Sequence, residues 1–100
     1  MQRVLVINKL GEEDLIEIYR YISKYNIKAA IRIKQTILRK CKLLLEFPEM
    51  GNKLSNRFDV RLDLMYTICL KYFILYRYTD EQVIIHRIFD SRTEFINKLF

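Results

Sequence analysis

His86 is the only histidine in the chain, and its ordinary pKa suits a general base near neutral pH. It stands between Ile85 and Arg87 in a run of β-branched residues, on the face that strict alternation shares with Ile84 and Ile88. A histidine there either works as a base or sits as a satisfied structural residue on an apolar face. No serine or cysteine beside it suggests a nucleophile pair, so the sequence assembles no triad. Cys41 and Cys69 fall inside apolar patterns and read as two reduced, buried thiols. With one histidine and neither a CxxC nor an HExxH spacing, no metal site is expected and no cofactor is implied.

Two groups of cations stand out. Arg61, Lys71, Arg77, Arg87 and Arg92 are spread over the C-terminal half. Arg77 and Arg87 come opposite or diagonal across a hairpin, where two arginines repel unless they share an anion. One reading is a phosphate-facing sheet surface, with Tyr76 and Tyr78 available to stack on bases. The other is that Asp80, Glu81, Asp90 and Glu94 neutralise these cations in ordinary surface pairs. The second group is Arg20, Lys24, Lys28, Arg32, Lys34, Arg39, Lys40 and Lys42, and residues 18–45 contain no acid. Lys28, Arg32, Gln35, Arg39 and Lys42 follow steps of four and three, so they make one outer line on a helix. That line is either a solvated face or a landing strip for an acidic partner segment. The net charge of +6 favours an anionic partner.

The elements that position these residues follow from periodicity. Residues 3–7 read as a short strand and 8–11 as a break. Residues 12–25 make a helix with Leu15, Ile18, Tyr19 and Ile22 on one stripe and Glu12, Glu13 and Asp14 in its first turn. Asn26 caps a second helix over 27–46. Its buried face is Ala30, Ile33, Ile37, Cys41 and Leu44, widened by Ile31, Leu38 and Leu45. Pro48 stops it, and 48–51 form a turn. Residues 52–56 are loop. Phe58, Val60, Leu62 and Leu64 alternate with polar residues, so 58–70 is either one bent strand or an irregular lead-in to a strand. Residues 72–79 and 82–90 form a β-hairpin. Residues 91–100 are either a short helix capped by Ser91 and Glu94 or a frayed tail. The expected fold is α+β in a single domain over 1–100: an N-terminal strand, then an antiparallel helical hairpin packed on a twisted antiparallel sheet, in the order β-α-α-β-β-β. No apolar run approaches the roughly 20 residues of a membrane span, and the N-terminus is too short in apolar residues for a signal peptide.

Several strings, taken in order, are similar to one known family. They are Glu13-Asp14-Leu15-Ile16-Glu17-Ile18-Tyr19-Arg20-Tyr21-Ile22, then Ala29-Ala30, then Leu45-Glu46-Phe47-Pro48-Glu49-Met50-Gly51. Tyr72-Phe73-Ile74-Leu75-Tyr76-Arg77 and Ile85-His86-Arg87-Ile88-Phe89-Asp90-Ser91-Arg92 complete the set. Over essentially its whole length the chain resembles the RelE/ParE superfamily of toxins from type II toxin–antitoxin systems. The resemblance implies a cytoplasmic, growth-inhibiting toxin of bacterial or archaeal origin, of the kind tied to plasmid stabilisation. It also implies a cognate antitoxin, whose acidic segment would dock on the helical hairpin and sheet at Lys28, Arg32, Arg39 and Lys42.

The superfamily divides in mechanism. RelE-like members cut mRNA on the ribosome by activating a ribose 2′-OH; here that would fall to Arg92, Arg87, His86 and Tyr78. ParE-like members inhibit DNA gyrase, with Arg61, Lys71, Arg77, Arg87 and Arg92 as target-binding candidates. Family members often carry a histidine where this chain has Asp90, and neither tyrosine nor histidine follows Arg92. These departures point to the ParE-like branch. The alternatives are a RelE-like endoribonuclease and a non-toxic nucleic-acid or protein-binding module on the same fold.

Overall fold

The computed structural model describes residues 2–56 and 63–92. Strand β1 (Val4–Ile7) leads into helix α1 (Lys9–Ser23) and helix α2 (Ile27–Glu46). A 3-10 turn at Pro48–Met50 precedes a two-residue strand, β2 (Asn52–Lys53), and a second 3-10 turn, Leu54–Asn56. Strands β3 (Met65–Cys69), β4 (Tyr72–Tyr78) and β5 (Gln82–Asp90) follow. The sheet order is β1-β5-β4-β3-β2. The alternation over Phe58, Val60 and Leu62 and the expected C-terminal helix fall outside the described residues.

Helix α2 starts and stops where its local signals lie. The Asn26 side chain accepts from the Ala29 amide at 3.0 Å, and Pro48 opens the next turn. Ala30, Ile37, Cys41 and Leu44 are buried on its inner face. Ile33 is half-buried, and Ile31, expected to widen that face, is 42% exposed. Beneath the helices, Tyr72, Ile74 and Tyr76 of β4 meet Val83, Ile85 and Ile88 of β5 in the main core. Tyr76 is fully buried. Its hydroxyl donates to the Pro48 carbonyl at 2.6 Å and accepts from the Gly51 amide at 3.2 Å. One phenol thus satisfies both ends of the turn that closes α2, and a Cβ at Gly51 would overlap that hydroxyl and the Tyr66 carbonyl. Tyr76 is therefore not available to stack on a base, contrary to the expectation from sequence.

Three further features differ from the sequence reading. The sheet is mixed: β1 runs parallel to β5, with Val4 opposite Gln82 and Ile7 opposite Ile85, while the other pairs are antiparallel. The chain leaves β1 through Asn8 alone and enters α1, which packs against β5. Helix α1 begins at Lys9, not at residue 12, because Gly11 is no break. It is buried, and a Cβ there would meet the His86 and Ile85 carbonyl oxygens and the Ile7 side chain, each at 3.3 Å. A glycine lets the helix axis approach the strand backbone at that point. Finally, the stretch 52–56 contributes β2 at the sheet edge, paired to Met65 and Tyr66.

Candidate functional site

The β4–β5 hairpin carries most of the residues with chemistry, and its register decides which of them meet. Tyr76 is opposite Ile85, and Leu75 is opposite Arg87, so His86 has no partner and forms a bulge. The extra residue reverses the alternation. Val83 and Ile85 face the helices before it, and Ile88 does so after it. His86 therefore does not share a face with Ile88, although strict alternation would place them together. Its Nδ1 lies 3.0 Å from the Asn8 side-chain amide nitrogen, and its Nε2 is buried with no hydrogen-bond partner among the described residues. Burial, and secondarily the nearby Arg77 charge, lower its pKa. Beside the first turn of α1 the neutral form of the ring is thus favoured over the charged one.

Arg87, next in the chain, is committed to α1. Its Nε and Nη2 donate to the Asp14 carboxylate at 2.8 and 3.0 Å, and the same carboxylate accepts from the Ile88 amide at 2.9 Å. Hydrogen bonding to Asp14 raises the Arg87 pKa. Asn8, Gly11 and Asp14 recur every three residues and all touch residues 85–88, so one helix stripe docks on the bulge. The sequence places Asp14 in the first turn, where it suits the helix dipole, and in one of the family-like strings; nothing local marks it as the partner of a residue 73 positions away.

At the far end of β5, Asp90 gathers two cations. Arg92 donates to it from its backbone amide, Nε and Nη2 at 2.9, 3.1 and 2.9 Å, and Lys71 Nζ lies 3.5 Å away. Hydrogen bonds from Arg92 hold the Asp90 carboxyl well below the usual carboxylate range. The neutralisation expected for Asp90 is thus realised at Lys71 and Arg92. Tyr78 sits at the opposite end of the hairpin, opposite Val83, whereas Tyr72 is opposite Asp90. Six strand steps of about 3.3 Å put roughly 20 Å between those ends. His86 lies four residues before Asp90, about 13 Å along the strand, and on the face away from Tyr78. The fold does not bring Tyr78, His86 and Arg92 to one point.

Arg77 is exposed on the sheet face away from the helices, opposite Ile84. It lines an open hollow with Lys53, Ser55, Asp63 and Tyr78. Lys53 was not singled out from sequence; only the β2 pairing carries it there. Arg61 lies outside the described residues.

Lys28, Arg32, Arg39 and Lys42 are all exposed on α2. None of the four takes part in an ion pair among the described residues. Two grooves flank the C-terminal half of the helix. One is lined by Thr36, Arg39, Leu43 and Cys69, the other by Arg3, Leu5, Lys42 and Leu45. Leu43, which lines the first groove, is 42% exposed. Leu70 has a φ of 57°, a costly conformation for a branched side chain.

Residues 5–95 match the family described as ParE toxin of type II toxin–antitoxin system, parDE. No curated protein matches the chain. Among solved structures, the chromosomal ParDE toxin–antitoxin system from P. aeruginosa superposes with a TM-score of 0.72 at 18% identity, covering 89% of this chain and 96% of that one. The toxin–antitoxin complex RelBE2 from Mycobacterium tuberculosis superposes with a TM-score of 0.57, also at 18% identity, covering 90% and 99%. At that identity the two likenesses are likenesses of fold.

Proposed function

The chain belongs to the ParE toxin family of type II toxin–antitoxin systems, and from that premise we propose that it arrests growth by binding DNA gyrase in the cytoplasm rather than by cutting RNA. The observation that carries this reading is the dispersal of the would-be nuclease residues. Cleavage through a 2′-OH needs a cation and a proton-transfer group at one phosphate. Here Arg87 is held by Asp14, Arg92 by Asp90, and His86 and Tyr78 lie on different faces of the hairpin. A binding mechanism asks for no such convergence: Arg77 is exposed, and Lys71 and Arg92 are exposed in a surface pairing with Asp90 that a macromolecular partner can replace at little cost.

The antitoxin, in this reading, lays apolar side chains into the two grooves beside α2. It sets carboxylates against Lys28, Arg32, Arg39 and Lys42, where complementary charge speeds encounter and orients the segment. The mRNA endonuclease is the second reading. Two observations favour it: Lys53, Arg77 and the edge of Tyr78 line one hollow, and Arg77 lies close enough to His86 to lower its pKa.

Induced expression in a bacterial host separates the two. Arrest with intact mRNA by primer extension, together with impaired supercoiling by purified gyrase, is the expected outcome. Cuts in translated mRNA, lost on His86→Gln or Arg77→Gln, would replace the gyrase reading with the nuclease. Normal growth with folded protein present would leave a binding module on this fold.

A further inference from the structure

Along the outside of α2, Lys28, Arg32, Gln35, Arg39 and Lys42 form one line directly opposite the buried Ala30, Ile37, Cys41 and Leu44. The line faces solvent at every position. From Lys28 to Lys42 is fourteen residues, about 21 Å of helix at roughly 1.5 Å per residue. It carries four positive charges, and no acid occurs between residues 18 and 45. A rigid row of cations of this length, none in an ion pair among the described residues, matches a polyanion of fixed charge spacing better than a short flexible peptide. About 21 Å spans roughly six nucleotides of one B-DNA strand at 3.4 Å each.

We propose that this face binds duplex DNA without strong sequence preference and holds the free toxin on it. Two features of the line favour duplex over single strands and DNA over RNA. It contains no aromatic side chain, so it offers no stacking platform for unpaired bases. The major groove of B-DNA, about 12 Å wide, admits the side of a helix, whereas the deep, narrow major groove of A-form RNA does not. Gln35, midway along the row, has the amide that can pair with an adenine edge, while the four cations reach phosphates on either side. The antitoxin is proposed to cover the same cations, so DNA holding belongs to the liberated toxin. That the tether brings toxin to a DNA-bound target rests on the gyrase reading; the binding itself does not.

The test is fluorescence anisotropy of the purified chain with a labelled 20-base-pair duplex of random sequence, titrated between 50 and 200 mM NaCl. Four phosphate contacts predict a log–log slope of about −3.6, or roughly a 150-fold loss of affinity over that range. Joint replacement Lys28→Gln, Arg32→Gln, Arg39→Gln and Lys42→Gln should bring the slope close to zero. Lys9→Gln with Arg20→Gln, which removes two exposed charges from α1, should leave the slope within about 0.5 of the parent. Unchanged melting of each variant confirms that only the surface has altered. Absence of binding at 50 mM NaCl would overturn the proposal, as would a slope that survives the fourfold replacement. Equal affinity for duplex RNA would overturn the groove fit. A fourfold variant that loses antitoxin but keeps DNA would make the face a protein-docking surface alone. Supercoiling assays read the gyrase mechanism separately, so either idea can fail without the other.

Discussion

At the seam between α1 and β5, the side chains of Arg87 and Asp14 are only 19% and 15% exposed; Arg87 donates twice to Asp14, whose carboxylate also accepts from the Ile88 amide. Along the outside of α2, four cations stand in water with no ion pair among the described residues. The two regions lie on adjacent helices and draw on the same residue types. Their energetics differ because burial converts a charge from a free contact into an obligation. A half-desolvated carboxylate must keep its partners, and removing one strands the other. A solvated lysine costs nothing to leave unpaired, so it remains available to an outside ligand. Arg87 is the residue that this comparison moves from the list of target-binding candidates toward the framework.

The largest effect is expected from Asp14→Ala. It strands the Arg87 guanidinium and the Ile88 amide at once, and a loss of about 3 kcal/mol in unfolding free energy is expected by chemical denaturation. A loss under about 1 kcal/mol would mean that the seam holds as loosely as a surface pair. A smaller effect should come from His86 on the same seam. Its pKa is lowered in the fold, chiefly by burial, so below about pH 6.5 the unfolded chain takes up more protons than the folded one. Stability should therefore fall as pH drops from 7 toward 5.5 and level off below the folded pKa. His86→Gln should flatten the melting temperature over that window, and an unaltered slope would exclude His86 as its source. The smallest effect belongs to α2. Replacing Lys28, Arg32, Arg39 and Lys42 by glutamine should change unfolding free energy by no more than about 0.5 kcal/mol per site. A larger drop in thermal melts would show that the row is part of the framework after all.

The family relation gives the comparison its functional sense. Toxins of this kind must be held by an antitoxin and then act on something else, and a surface that is free of internal partners can serve both contacts in turn. Residues at the seam cannot, since any ligand would have to replace bonds that keep α1 on the sheet.

Local pattern was enough for much of this. The stripe of Ala30, Ile37, Cys41 and Leu44, the Asn26 cap, the Pro48 stop and the two runs of the β4–β5 hairpin are all written in spacing within one element, and helix and strand periods are properties of the chain itself. The outer line of α2 was legible for the same reason. Family resemblance was legible too, because it rests on the order of short strings. What the tertiary structure decided were matters of partnership over distance. Gly11 reads as a break until a strand backbone lies against it. His86 reads as an ordinary strand residue until its neighbours pair without it and the alternation reverses. Arg87 and Arg77 are alike in sequence and differ only because Asp14 reaches one of them. Burial within an element follows from its own period, but which charge meets which depends on how separate elements are brought together, and that packing is decided by the whole chain at once.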